Sequence, residues 1–174
     1  MGDTGNTNII LAGFMATGKT TVGKKLALRI GRSFIDTDRV VEDMTGLKID
    51  QIFEQFGEPY FRELESEIIT GLDRYPAGSL VVATGGGALL SEANRIRLKK
   101  TGLLILLTAS PHDIMKRSGK TGIRPLLKGP DIPGKIKKLL EERRQYYNCC
   151  DLSIDTSGKT ASQIVREIEE KLKL

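Results

Sequence analysis

The segment Gly13-Phe14-Met15-Ala16-Thr17-Gly18-Lys19-Thr20 has the G-x-x-x-x-G-K-[ST] spacing of a loop that wraps phosphate. Successive backbone N–H groups in such a loop, together with the positive end of the helix that follows, form a concave seat for a phosphate chain. Lys19 then reaches the β and γ phosphates, and the Thr20 hydroxyl holds Mg²⁺. A strand must precede this loop and a helix must follow it. Ile9, Ile10 and Leu11 supply the short apolar run before it, and Val22, Leu26 and Ile30 recur at helical spacing after it. The plainer alternative, a glycine turn capping an ordinary helix, leaves those flanks and Lys19 unexplained.

A second group of chemistry-bearing residues closes the next apolar run, Phe34-Ile35-Asp36-Thr37-Asp38. Residues two apart in an extended chain face one side, so Asp36 and Asp38 are expected to project together toward a ligand. Adjacent carboxylates repel, and Mg²⁺ beside them relieves that repulsion. The competing role is to cap a helix beginning at Arg39, which accounts for one acid and not both. Further on, Arg62 in Gly57-Glu58-Pro59-Tyr60-Phe61-Arg62-Glu63-Leu64-Glu65 has an ordinary use as the partner of Glu58 one turn earlier, worth about 0.3 kcal/mol. Val81-Val82-Ala83-Thr84 then runs into Gly85-Gly86-Gly87. Three glycines exceed what a turn needs and suit a backbone passing against a ligand or a γ-phosphate.

Period and punctuation give the elements that must position these groups. Strands are expected near 8–12, 33–36, 80–83, 103–108 and 151–155. Helices are expected near 20–30, 39–75 in broken pieces, 91–101, 110–117, 134–148 and 160–173. Such alternation means an α/β protein with a five-stranded parallel sheet and helices on both faces. Ligands of these sheets bind beyond the carboxyl ends of the strands, where the phosphate loop and the turns after Asp36, Ala83 and Thr108 should gather. The stretch Ser118–Pro133 holds Gly119, Gly122, Pro125, Gly129, Pro130 and Pro133, too punctuated for a helix and too polar for a buried strand. Beside a phosphate loop, the expected use is a lid that folds over ATP and brings in an arginine.

At 174 residues the chain is long enough for one domain with its own core, and 39% apolar content with 5% aromatics and no Trp suits strands of Val, Ile and Leu. The longest apolar run, Leu103 to Leu107, is too short to span a bilayer, and Met1 to Thr7 is small and polar rather than signal-like. Although the chain begins Met-Gly, Asn6 stands where a myristoylation signal wants Ser or Thr. The expectation is a cytoplasmic, non-membrane protein with a flexible N-terminus over 1–7. Cys149 and Cys150 are sequence neighbours, a poor arrangement for a disulfide or metal site, and His112 reads as a helix-start residue. Residues 116–144 hold ten basic and three acidic side chains, so this segment carries +7 and the remainder −2. That implies an anionic partner. A small polyanion such as ATP fits better than nucleic acid, because no base-stacking aromatics interleave the charges.

In combination, Gly13 to Thr20, Asp36-Thr37-Asp38, Gly57-Glu58 with Phe61-Arg62 and Glu65, the triple glycine, Arg124-Pro125-Leu126-Leu127, and Arg143 with Tyr147 make the chain resemble the shikimate kinases over Asn8 to about Leu172. The resemblance implies a three-layer kinase of the nucleoside-monophosphate-kinase type with a mobile lid over about 118–133 and a substrate-binding region over about 36–65. Its implied reaction transfers the γ-phosphoryl of ATP to the 3-hydroxyl of shikimate, with Mg²⁺, and a monomer is expected. Lys19, Asp38 and Arg124 are the implied catalytic residues, and Gly13, Ala16, Thr17, Gly18, Lys19, Thr20, Thr21, Arg117 and Arg124 surround the nucleotide. Arg117 would pack on adenine. Arg62 and Arg143 would clamp the substrate carboxylate, Asp38 would hold its hydroxyls, and Gly85, Gly86 and Gly87 would offer backbone N–H groups. Thr20 and Asp36 would serve the metal. Ala16 departs from the family, where glycine is usual, and a positive φ there would strain it by about 1 kcal/mol. A gluconate-type kinase on the same fold is the nearest rival. A GTPase is more distant, since no Asn is followed by Lys as a guanine motif requires.

Overall fold

The computed structural model describes residues 7–121 and 131–174, without the side chains of 119–121. Five strands, β1 (Asn8–Ala12), β2 (Ser33–Asp36), β3 (Leu80–Ala83), β4 (Gly102–Thr108) and β5 (Leu152–Asp155), form one parallel sheet in the order β2-β3-β1-β4-β5. Between them run α1 (Lys19–Ile30), α2 (Thr37–Thr45), α3 (Ile49–Gly71), α4 (Glu92–Thr101), α5 (Pro111–Thr121), α6 (Ile132–Tyr147) and α7 (Ala161–Leu172). In register, Ile10 lies between Val82 and Leu104. Because side chains alternate along a strand, Ile9 and Leu11 enter one core with Val22 and Leu26 of α1 and Val165 and Ile168 of α7. Ile10 and Ala12 enter the opposite core with Ile69 of α3 and Leu98 of α4. Both faces are covered, as parallel strands of continuous apolar residues require.

The chain leaves β1 toward β2 and β3 on one side, then crosses back to β4 and β5 on the other. This reversal opens a crevice at the carboxyl end of β1, and the phosphate loop lies there. Two smaller apolar clusters brace the walls. Phe14 and Met15 of the loop pack with Ile114 of α5 and Ile136 of α6, while Val41 of α2 packs with Ile52 and Phe61 of α3. α3 is broken at Gly57, whose φ of 81° and ψ of 169° place it outside the helical region. Pro59 follows in the first turn of the resumed helix, where its missing N–H has no partner to lose.

Strand positions agree with the sequence reading to within a residue, and two expectations are corrected. The second helix starts at Thr37 rather than Arg39, so Asp38 is helical and does not continue the strand from Asp36. The irregular stretch expected over 118–133 is shorter, because α5 continues to Thr121 and α6 begins at Ile132. Asp131 caps α6 by accepting from the Gly134 N–H at 2.9 Å, and Pro133 is again tolerated in a first turn. Arg124 and the rest of the expected lid lie outside the described residues. Among the described residues no helix is long and apolar enough to cross a membrane.

Candidate active site

The phosphate loop is held by its own side chains. Thr17 Oγ1 donates to the Phe14 carbonyl at 2.8 Å, and Lys19 Nζ donates to the Gly13 and Phe14 carbonyls, each at 2.8 Å. Lys19 thus bends over the loop with its ammonium at the mouth, only 9% exposed. Gly18 caps α1 with φ 95°, and Ala16 adopts φ 60°, the left-handed region where an L side chain is strained. Arg117 supports this turn from α5. Its Nη1 donates to the Ala16 carbonyl at 3.4 Å and to Thr156 Oγ1 at 2.9 Å, and its Nη2 donates to the Thr156 carbonyl at 2.7 Å. Sequence reasoning did not foresee this bridge between the loop and the end of β5. Thr21 is exposed in the first turn of α1.

Asp36 takes the capping role that its sequence context offered and also reaches the phosphate loop. Its Oδ1 accepts from the backbone N–H groups of Asp38 at 3.1 Å and Arg39 at 3.3 Å, and its Oδ2 accepts from Thr20 Oγ1 at 2.6 Å. A hydroxyl and a carboxylate meeting at the loop suit Mg²⁺, which keeps much of its shell from water and phosphate oxygens. Among the described residues no cluster of three His, Cys, Asp or Glu side chains could cage a metal, so the metal would depend on the bound phosphates. A cavity of about 620 Å³ opens beside Thr20, Asp36 and Asp38, with Asp43, Lys48 and Asp50 on its outer wall.

The expectation that Asp36 and Asp38 point the same way is not met, because the helix begins between them. Asp36 turns to the phosphate loop, whereas Asp38 turns to the triple glycine. There, each glycine meets a different one of the three residues assigned to the acceptor. A Cβ on Gly85 would come within 2.6 Å of Asp38 Oδ1, and one on Gly87 would come within 2.5 to 2.7 Å of the whole Arg62 guanidinium. The Gly86 carbonyl accepts from Arg143 Nη1 at 2.8 Å. Distant positions 38, 62 and 143 therefore converge on one loop at the end of β3, beside the phosphate seat. Side chains press on the backbone at Gly85 and Gly87, whereas Gly86 lies against the Met15 backbone. Gly85 donates its N–H to Thr37 Oγ1 at 2.9 Å.

Arg62 does pair with Glu58, but not as a mere surface contact. Its Nε and Nη2 donate to Glu58 Oε1 at 3.1 and 2.8 Å, and its Nη1 donates to Glu65 Oε2 at 2.8 Å. Burial works to lower the guanidinium pKa, but the contacts to Glu65 and Glu58 outweigh it and raise it above the ordinary value. Arg143, 5% exposed, lies with its guanidinium carbon 5.1 Å from the centre of the Phe14 ring, a cation–π contact that links α6 to the phosphate loop. Tyr147, one turn on, has its hydroxyl pushed up by burial, with Arg143 opposing. Glu65 carried no role in the sequence beyond its place in a motif. The available signal was its position, since Phe61, Glu65 and Ile69 form the buried stripe of α3 at four-residue spacing and an acid in such a stripe calls for a partner.

Both cysteines are free and half-buried, and burial, with Cys149 adjacent, pushes the Cys150 thiol up to about 12. His112 is exposed at the start of α5. Among the described residues, the site sets the phosphate loop beside a wall that carries Asp38, Arg62 and Arg143.

Known proteins resemble the chain along most of its length. The shikimate kinase family model covers residues 15–173. Shikimate kinase from Caldanaerobacter subterraneus subsp. tengcongensis is 46% identical over 92% of this chain and 93% of its own. Shikimate kinase from Acinetobacter baumannii, solved in complex with shikimate, superposes with a TM-score of 0.91 at 35% identity, covering 98% of this chain and 95% of that one. A gluconokinase from Sinorhizobium meliloti reaches a TM-score of only 0.56 at 18% identity, which shows a shared fold alone. With the family matched from the phosphate loop to the last helix, and with similarity of sequence and structure along nearly the whole length, the chain belongs to the shikimate kinase family of ATP-dependent kinases.

Proposed function

We propose that this chain phosphorylates the 3-hydroxyl of shikimate with ATP, and that the convergence of Asp38, Arg62 and Arg143 on Gly85–Gly87 is what selects the acidic acceptor. A carboxylate leaving water needs strong compensation, and one charge-assisted hydrogen bond supplies only about 1.5 to 3 kcal/mol. Two guanidinium groups on one wall meet that need. Asp38 holds the ring hydroxyls and accepts, or orients, the proton of the attacking one. Phosphoryl transfer asks little covalent chemistry of the protein, so alignment and charge neutralisation supply most of the rate.

On the nucleotide side, Lys19 exchanges the Gly13 and Phe14 carbonyls for phosphate oxygens while the loop N–H groups hold the chain. Thr20 and Asp36 would hold Mg²⁺ with the nucleotide bound, and the ion would supply neutralisation of the charge on the β and γ phosphates. Arg117 stands at the end of β5, where it serves the adenine side, and Arg124 is assigned to the closing lid. A coupled assay of ADP formation with shikimate, gluconate or no acceptor tests the proposal. Shikimate alone should accelerate ADP release, whereas acceleration by gluconate would overturn the assignment.

A further inference from the structure

Glu65 is buried to 1% side-chain exposure, with Arg62, Asp38 and Glu58 bearing on it. The charged groups that bear on it are Arg62 and Glu58 from its own helix and Asp38 from α2, and the loop after β3 contributes only glycine backbone. Its Oε2 accepts from Arg62, but Oε1 is buried without a hydrogen-bond partner among the described residues. That orphan oxygen is aimed at the absent Cβ of Gly85, and Asp38 Oδ1 lies 2.6 Å from the same point. With no side chain on Gly85, the two carboxyl groups share one dry space. If both were ionised, like charges would face each other with water excluded.

We propose that Glu65 is a positioning residue that works as a neutral acid: its Oε1 carries a proton and donates it to the facing Asp38 carboxylate, while its Oε2 keeps Arg62 in place. One proton thereby satisfies the orphan oxygen, removes the repulsion and fixes the rotamer of the residue that handles the acceptor hydroxyl. Burial pushes the Glu65 carboxyl above its ordinary range, Arg62 opposes this, and Asp38 and Glu58 add to it. Gly85 is then selected for what it leaves out, because any side chain there would separate donor from acceptor.

The proposal rests on the assignment of Asp38 and Arg62 to the acceptor, but its proton is measurable without turnover. Carbon-13 NMR of the wild-type protein, with the Glu65 Cδ resonance assigned by its loss in Glu65→Gln, should show a protonated carboxyl at pH 7. An ionised Cδ at that pH would overturn the proposal even if shikimate kinase activity were normal. A protonated Cδ in a protein without that activity would uphold it and sink the functional assignment instead. In steady-state kinetics Glu65→Gln, isosteric with the neutral acid, should keep kcat and the acceptor KM within about threefold of wild type, whereas Glu65→Ala should lose about tenfold or more in kcat/KM. If Glu65→Gln lost as much as Glu65→Ala, with an acceptor KM raised to match, Glu65 would be working as a carboxylate and the proposal would fail.

Discussion

At the scale of single residues, the site carries strain and buried charge in places that can be measured one substitution at a time. Ala16 holds φ 60° in the middle of the phosphate loop, braced by the Arg117 contact to its carbonyl. Replacing it with glycine removes a steric cost of about 1 kcal/mol and returns only part of that as added freedom of the unfolded chain. Ala16→Gly should therefore raise the urea midpoint without changing the slope, and a lowered midpoint would show that the loop is not strained there. Glu65 gives a dependence on pH with a defined sign. Its folded pKa is raised above the ordinary 4.5, so the folded state binds the extra proton. Its contribution is fully present below about 4.5 and is lost as pH rises through the folded value. Stability should fall across that window in the wild type and stay flatter in Glu65→Gln, as followed by urea unfolding at several pH values. The residues were unevenly legible in the sequence. Lys19 and Thr20 were readable because a loop that binds phosphate constrains type and spacing together. Arg62 was not, since its spacing from Glu58 fits an ordinary helix pair and only the folded chain sets it against Gly87.

At the scale of elements, helix starts decide where the acids point. Asp36 and Asp38 diverge because α2 begins at Thr37, and a two-residue alternation holds only while a chain stays extended. The five strands were legible because parallel strands buried on both faces leave continuous apolar runs. The edges of the Ser118–Pro133 stretch were misread because glycine and proline are tolerated near helix ends, where a cap such as Asp131 compensates. The break in α3 has the clearest consequence. Gly57 at φ 81° and ψ 169° lets the helix stop and restart, and the restarted half presents Arg62 and Glu65 to the triple glycine, with Glu58 pairing to Arg62. This backbone region is open essentially to glycine alone, and other residues there cost about 1 to 3 kcal/mol. Gly57→Ala should lower stability by about that amount in chemical denaturation. It should also raise the KM for the acceptor more than that for ATP, and the reverse ranking would detach the kink from the acceptor wall.

At the scale of the whole molecule, the walls proposed for the two ligands share parts. Phe14 belongs to the phosphate loop, yet it packs with Ile114 and Ile136 and lies against Arg143. Met15 lies against Gly86, 3.2 Å from where a Cβ would stand. Ordering the loop around phosphate therefore orders one side of the acceptor wall as well. Calorimetry should show nucleotide and shikimate tightening each other's binding by the same factor, of about 5 to 150, since coupling between sites is reciprocal. Independent binding would mean that these contacts transmit nothing. This link was invisible in the sequence, because residues 14, 86 and 143 come together only through the return of the chain across the sheet.

The central claim is that Arg62 and Arg143 form the wall that recognises the acceptor's carboxylate. The most direct measurement pairs a chemical change in the ligand with a change in the protein: binding of shikimate and of its carboxamide to the wild type and to Arg62→Ala. The wild type should prefer the acid by about tenfold to a hundredfold, corresponding to charge-assisted hydrogen bonds lost by the amide, and Arg62→Ala should give up most of that preference. An Arg62→Ala protein that still discriminates acid from amide as strongly as the wild type would contradict the account.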